Sequence, residues 1–344
     1  MSDATGLEPV LAAFGELVLR LHSRNNLRFV QSTGYDAFYG GAEANVCVLL
    51  SRLGVRTEFI SRVPLNDLAH AGIQQLKAHG VGTGKIQFGG DSLGMYFTET
   101  GNQVRSSRVI YNRAGSSFAT LTAGTIDWKR LLNGATHFHW SGVSAAVSAS
   151  AAEVCKEAIT SAKELGLTIC SDFNYRSTLW QYGKQPSEIM PALVEHSKIV
   201  IADLDSVELY FGISTDKNSE LPTRFKNCAE ALQMKLPKME YLAMSFRETT
   251  GLMHRYSGAL LANNKYYFNE GFQIPLVTDQ IGSGDAFTAG LLYGIMQNRE
   301  PQTLLPFAIA CGALKNSIQG DWAIITKDEV DEFMRSGTNG RIIR

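Results

Sequence analysis

Asp285 follows three small residues, Gly282-Ser283-Gly284, and stands at the head of an apolar stretch, Asp285–Gln297, with helical spacing. Small residues let a main chain approach a ligand closely, and the first turn of a helix offers unpaired N–H groups at the positive end of its dipole. Gly282, Ser283 and Gly284 are therefore candidates for an anion hole. A carboxylate beside bound phosphate is costly unless it has a task, and the task that fits is to take a proton from an attacking hydroxyl. The competing reading makes Asp285 a simple helix cap. A second candidate is Gly40-Gly41-Ala42-Glu43-Ala44-Asn45, which opens the helical stretch Ala42–Leu53. Paired glycines there admit a polyhydroxy ligand at Gly41, and Asn45 brings both a donor and an acceptor for hydroxyls.

A third segment, Asp172–Trp180 (DFNYRSTLW), leaves an apolar strand. In open α/β sheets the ligand crevice lies outside the carboxyl ends of the strands. Arg176 at such an end and Arg113 after a β-rich stretch supply guanidinium forks suited to a carboxylate or phosphate. His137 and His139 alternate along an apolar strand at no metal-ligand spacing and read as core or crevice-edge histidines. No GxxxxGK[ST] loop and no HRD or DFG set occurs, so a nucleotide site would have to be built differently.

The elements that must position these residues alternate. Val10–Leu21 reads as a first strand with a turn at Gly15-Glu16, and strands follow at Val55–Val63, Thr136–Trp140, Leu167–Phe173, Ile199–Ala202 and Tyr241–Ser245. Helices are predicted at Ala42–Leu53, Leu68–His79, Ala151–Leu165, Ser187–His196, Asp285–Gln297 and Leu304–Ser317. This alternation predicts a mainly parallel sheet covered on both faces. Phe29–Tyr39 and Gly94–Tyr111 break the rhythm; the second carries hairpin chemistry around Thr100-Gly101-Asn102. Together they predict a small antiparallel flap placed as a lid.

The 344 residues are 44% hydrophobic and 19% charged, with a net charge of −1. That balance excludes bulk attraction to nucleic acid or to an anionic membrane, so an anionic ligand must meet a local cluster. The five cysteines are scattered, and all but Cys228 lie in apolar runs, which points to reduced thiols. Met1–Pro9 lacks the pattern of a signal peptide, and no apolar run is long enough to span a bilayer, so a cytoplasmic protein is expected.

Gly40–Gly54 (GGAEANVCVLLSRLG) and Asp279–Leu292 (DQIGSGDAFTAGLL), at opposite ends of one α/β chain, resemble the two signatures of the ribokinase-like, or PfkB, carbohydrate kinases. GELVLRL, GMYFTETG, RVIYNRAGSSFA, SGV, DFNYRSTLW and ALKNSIQGD further resemble the 2-keto-3-deoxygluconate kinase branch. The resemblance implies one three-layer α/β/α domain over residues 1–344, with a mainly parallel central sheet and a small β lid at about 22–40 and 92–114. It implies transfer of the γ-phosphoryl group of ATP, with Mg²⁺, to a sugar hydroxyl, that of 2-keto-3-deoxygluconate giving the 6-phosphate. Asp285 then matches the catalytic base, and Gly282, Ser283 and Gly284 the anion hole. Gly41, Tyr96, Tyr111, Arg113 and Arg176 match contacts to the sugar acid, with Asn45 beside them. Asn174, Ser245, Gly282 and Gly284 fall to the nucleotide, and no protein metal ligand is assigned. The family often pairs through its lids, so a homo-oligomer is expected. A neutral-sugar kinase and a non-catalytic sugar-binding protein are the alternatives. The chain departs from the pattern at Pro64, at Gln280, at Asp203-Leu204-Asp205-Ser206 where Asn-x-x-Glu is usual, and at Ser245-Phe246-Arg247-Glu248.

Overall fold

The computed structural model describes residues 8–101, 105–251 and 253–337. Its strands are β1 Val10–Phe14, β2 Val18–Ser23, β3 Tyr35–Gly40, β4 Arg56–Val63, β5 Ile86–Phe88, β6 Gly94–Glu99 and β7 Arg108–Asn112. They continue as β8 His137–Ser141, β9 Thr168–Asp172, β10 Ile199–Ile201, β11 Tyr241–Thr250, β12 Met253–Ala262 and β13 Lys265–Ile274. Nine of them form one sheet in the order β13-β12-β11-β10-β9-β8-β1-β4-β5, parallel from β11 to β5.

Strand β1 shows why the sheet has two covered faces. All five of its residues are buried, so the strand reads as an unbroken apolar run. Leu11 and Ala13 join a core with the helices Ala42–Arg52, Ser283–Met296 and Pro301–Lys315. Ala12 and Phe14 point the other way, into a core with Ala149–Glu164, Pro186–Val194 and Leu221–Lys235. Alternate side chains of one central strand thus serve two helix layers. Among the described residues no helix is long and apolar enough to cross a membrane.

A second sheet, β3-β2-β6-β7, lies at the site of the expected flap. It is mixed, not antiparallel throughout, because β2 and β6 pair in parallel while β2–β3 and β6–β7 are antiparallel. It also begins at Val18, earlier than the sequence suggested. Gly15–Leu17 ends β1, so the apolar run Val10–Leu21 is split between two sheets rather than forming one strand. Of the turn Thr100-Gly101-Asn102, Asn102 lies outside the described residues, as do Met1–Leu7 of the amino-terminal stretch.

The long antiparallel extension β11-β12-β13 was not foreseen beyond Ser245. Asn263 and Asn264, with φ of 53° and 56°, make the two-residue hairpin joining β12 to β13, a signal that Asn-Asn between β-rich runs could have supplied. The helices Leu204–Phe211 and Leu221–Lys235 also escaped the sequence reading. All five cysteines are buried and unpaired, including Cys228, whose polar neighbours along the chain had set it apart.

Candidate active site

The carboxyl ends of β8, β9 and β10 and the middle of β11 open onto a cavity of about 350 Å³. The small sheet closes its other side through Val18, Tyr96, Val109 and Tyr111. Every residue singled out from the sequence lines it: Gly41, Asn45, Tyr96, Tyr111, Arg113, Asn174, Arg176, Ser245, Gly282, Ser283, Gly284 and Asp285.

The floor is the turn before the helix Ser283–Met296. Its N-cap is Gly282 with φ of +85°, a conformation that favours glycine, and a Cβ there would lie 2.0 Å from the Asp321 carbonyl oxygen. Gly284 is the reverse case, since a Cβ on it would meet nothing within 4 Å; its backbone faces open space. Asp285 lies inside the first turn and does not cap it, which removes the capping reading. Its Oδ2 accepts from Asn45 Nδ2 at 2.6 Å, a contact between residues 240 positions apart. Asn45 is held there because Gly41, with φ of +136° and no room for a Cβ against the Glu16 carbonyl, starts the helix Ala42–Arg52 beside the sheet edge. One turn of that helix also carries Glu43, whose Oε1 accepts from Ser141 N, Ser141 Oγ and Ser144 Oγ and ties the helix to β8. Burial pushes Glu43 up to about 7.

The cavity holds two coupled carboxylates. Burial, reinforced by the Asp285 charge, pushes Asp172 up to about 8. Burial also raises Asp285, but the Asn45 amide and the cations Arg176, Lys315 and Arg247 oppose it. Asp172 therefore favours its protonated form at neutral pH, while the amide and the cations favour the charged form of Asp285. Two lining residues each carry a buried atom with no hydrogen-bond partner, Asn45 Oδ1 and Ser283 Oγ.

The arginines are not alike. Arg113 is buried and bonded to Glu16, Nε to Oε2 at 2.7 Å and Nη2 to Oε2 at 2.6 Å. Arg176 is exposed to the cavity and its Nη1 donates to the Tyr175 carbonyl at 2.8 Å. Tyr96 reaches the site from β6, and its hydroxyl donates to Asp321 Oδ2. Asp321 in turn accepts from Arg20 Nη1 at 3.2 Å, and Arg20 Nη2 pairs with Asp279 Oδ2 at 2.8 Å. Arg20 lies on β2, so a buried cation fastens the small sheet to Asp279, which begins the glycine-turn segment, and to Asp321 on the neighbouring loop.

Sequence reasoning overlooked Asp172, Arg247, Asp321 and Arg20 as site residues. A carboxylate ending a core strand was the signal for Asp172, and a charge inside the apolar run VLRL was the signal for Arg20. The altered segment Asp203–Ser206 turns out to be a capping box: Asp203 Oδ1 accepts from Ser206 N at 2.7 Å and starts the helix Leu204–Phe211. Among the described residues no group of three acidic, histidine or cysteine side chains could hold a metal ion.

The chain is 29% identical over 337 residues to the 2-dehydro-3-deoxygalactonokinase of Haloferax volcanii, covering 96% of this chain and 98% of that one. A crystal structure of the 2-dehydro-3-deoxygluconokinase of Thermotoga maritima superposes with a TM-score of 0.90 at 30% identity, over 95% of this chain and 99% of that one. An E. coli structure solved with ATP and Mg²⁺ shares the fold at a TM-score of 0.79 and 22% identity, over 95% and 99% of the two chains. Residues 11–323 match the profile of the pfkB family carbohydrate kinase, and the chain belongs to that family.

Proposed function

We propose that this kinase phosphorylates an acidic 2-keto-3-deoxy sugar, with 2-keto-3-deoxygluconate as the leading substrate and the 6-hydroxyl as acceptor. The observation that carries the reading is the Asp285 carboxylate, held by Asn45 beside the open Gly282–Gly284 turn in a cavity flanked by arginines. The names of the two relatives above, both kinases of six-carbon 2-keto-3-deoxy acids, support the same class.

In this reading the sugar lies between the sheet ends and the small sheet, which acts as a lid. Arg176 and the remaining edge of Arg113 take the carboxylate, and Gly41, Asn45, Tyr96 and Tyr111 take the hydroxyls and the carbon face. Asp285 accepts the hydroxyl proton as that oxygen bonds to the γ-phosphorus and the bond to the ADP oxygen breaks. The amides of the Gly282–Gly284 turn and the dipole of the following helix receive the charge on the phosphoryl oxygens. Asn174, Ser245 and Arg247 border the space left for the nucleotide. Magnesium carried with the phosphates would neutralise their charge, and Asp203, which reaches the cavity, would hold it through water. The lid excludes water that would otherwise take the phosphoryl group.

ADP release with Mg-ATP tests the substrate, comparing 2-keto-3-deoxygluconate with 2-keto-3-deoxygalactonate, gluconate, fructose and ribose. Turnover confined to the keto-deoxy acids supports the reading, and faster turnover on fructose or ribose overturns it. The pairing of Arg113 with Glu16 favours a neutral sugar to the extent that it cancels one cation, so Arg176 is the discriminating residue. Arg176→Ala is expected to raise KM for the acid by about 10- to 100-fold, the worth of one charge-assisted hydrogen bond, and to leave a neutral sugar unaffected. Equal losses on both sugars would show that Arg176 does not read a carboxylate.

The two glycines of the turn give a paired expectation. Gly282→Ala meets a carbonyl oxygen and a strained φ, so it should lose about 1–3 kcal/mol of stability as well as turnover. Gly284→Ala meets no protein atom within 4 Å, so its melting temperature should hold while its KM for ATP rises. A wild-type KM for ATP in Gly284→Ala would remove that glycine from the phosphate site.

A further inference from the structure

Beneath the glycine turn, on the side away from the cavity, lies a buried cation that the chemistry described above does not use. Lys315 ends the helix Pro301–Lys315 and has no exposure to solvent. Its Nζ donates to the Asp279 carbonyl at 3.1 Å and to the Ile318 carbonyl at 2.9 Å. Both acceptors are main-chain oxygens of the two loops that frame the turn. The Asp279 carbonyl begins the run Asp279–Gly284, and Ile318 belongs to the loop that returns to Asp321. The same loops are stitched together by Asp279 N to the Asn316 carbonyl and by Gly320 N to Asp279 Oδ2. Lys315 Cε lies 3.5 Å from where a Gly282 Cβ would stand, so the lysine stem packs against the back of the turn.

A fully buried ammonium is costly, and a cell of carbonyl oxygens does not repay it as a carboxylate in direct contact would. The compensation is electrostatic and spread over the site. Asp279, Asp321 and Asp285 favour the charged form of Lys315 and Arg20 opposes it. Arg20 supplies one positive charge for the two carboxylates Asp279 and Asp321, so Lys315 supplies the second, and its charge also acts on Asp285.

We propose that Lys315 is a positioning residue for phosphoryl transfer: a resident internal cation that fixes the Gly282–Gly284 turn through two carbonyls and places positive charge behind its amides. This rests on the reading of that turn as the phosphoryl site. An ammonium held by carbonyl oxygens does here what a bound inorganic monovalent cation of similar size could do. It follows that wild-type turnover should not depend on which monovalent cation the buffer holds.

Burial pushes Lys315 down to about 8, against the opposing pull of Asp279 and Asp321. Its charge is present below that pH and lost above it, so wild-type kcat should fall as the pH rises through about 8.

The test uses Lys315→Met, which keeps the stem and removes the charge, and Lys315→Gln, which keeps a donor for the carbonyls. Both are expected to lose about 10²-fold in kcat, the scale of removing one fixed charge-stabilising group, with sugar KM within about 3-fold of wild type. Both should also lack the alkaline fall. Wild-type kcat in Lys315→Gln overturns the proposal, and so does a reduced kcat that keeps the wild-type alkaline fall, because the role is then only structural. Should neither variant fold, the wild-type profile decides alone: turnover level from about pH 7 to pH 10 with unchanged melting temperature overturns it. Asp285→Asn separates this from the reading beneath it. If Asp285→Asn turns over normally the site itself is misassigned; if it is inactive while Lys315→Gln is normal, only the role of Lys315 falls.

Discussion

Asp285→Asn is expected to lower kcat by about 10³-fold while sugar affinity stays within a few-fold of wild type, because a positioned general base is worth about 10²- to 10⁴-fold. Asparagine is the informative replacement. Its side-chain oxygen can still accept from Asn45 Nδ2, so the 2.6 Å contact that fixes the position survives while the basic charge does not. The negative charge lost is also one that three cations, Arg176, Lys315 and Arg247, were arranged to hold. Phosphate should therefore bind at least as well in the variant. The measurement is single-turnover phosphorylation of the sugar beside sugar binding without nucleotide. A kcat within tenfold of wild type would show that the proton leaves by another route. A parallel loss of sugar affinity would mean that Asp285 orients the substrate more than it deprotonates it.

Arg20→Met carries the largest expected cost to stability, about 3–5 kcal/mol, the range for breaking a buried ion pair by removing one partner. Arg20 is buried with its guanidinium against Asp279 Oδ2 and Asp321 Oδ1, and its Nε donates to Thr98 Oγ1 at 3.1 Å. Methionine fills most of the volume and leaves two buried carboxylates unmatched. Burial pushes Asp321 up to about 6 even with Arg20 beside it. Without the guanidinium Asp321 must take a proton at a higher pH still. The deficit of the variant should accordingly be greatest well above about pH 6 and shrink as the pH falls and the carboxylate is neutralised. Urea unfolding of both proteins at a series of pH values reads this directly. A deficit that is small, or that does not change with pH, would show that the triad is matched by other groups. Because Arg20 stands on the small sheet and both carboxylates on the loops around the turn, the same variant should loosen the lid, and its sugar KM should rise with the loss of stability.

The glycine turn was legible in the sequence because its features are local. Glycines that must accept positive φ or close approach, a helix that must start, and a carboxylate within that first turn all fall inside one short segment, and the structure keeps them together. The parallel sheet was legible for a related reason. Strands covered on both faces tend to read as apolar runs; β1 and β10 are wholly apolar, and β8 and β9 are mostly buried with Phe138, Trp140, Ile169 and Cys170 among polar residues. The antiparallel extension β12–β13 was not legible in this way. β13 carries polar residues on half-exposed faces, and the register of the extension is set by pairing with β11, not by any apolar period. The split of Val10–Leu21 between two sheets was equally hidden, since both halves are buried and only the direction of the chain at Gly15–Leu17 distinguishes them.

The sequence by itself determined which residue types stand at the helix starts and strand ends, and with them the family, the layered fold and the carboxylate that can act as base. Only the tertiary structure decided how charge is shared among them. Arg113 looked like a free fork and is matched by Glu16; Asp285 looked isolated and is held by Asn45; Arg20 and Lys315 looked like a strand residue and a helix end and are buried beside the catalytic loop. The physical reason is that backbone geometry follows from near neighbours in the chain, whereas the energy of a buried charge depends on partners and solvent exposure that folding brings from 97, 240 or 301 residues away.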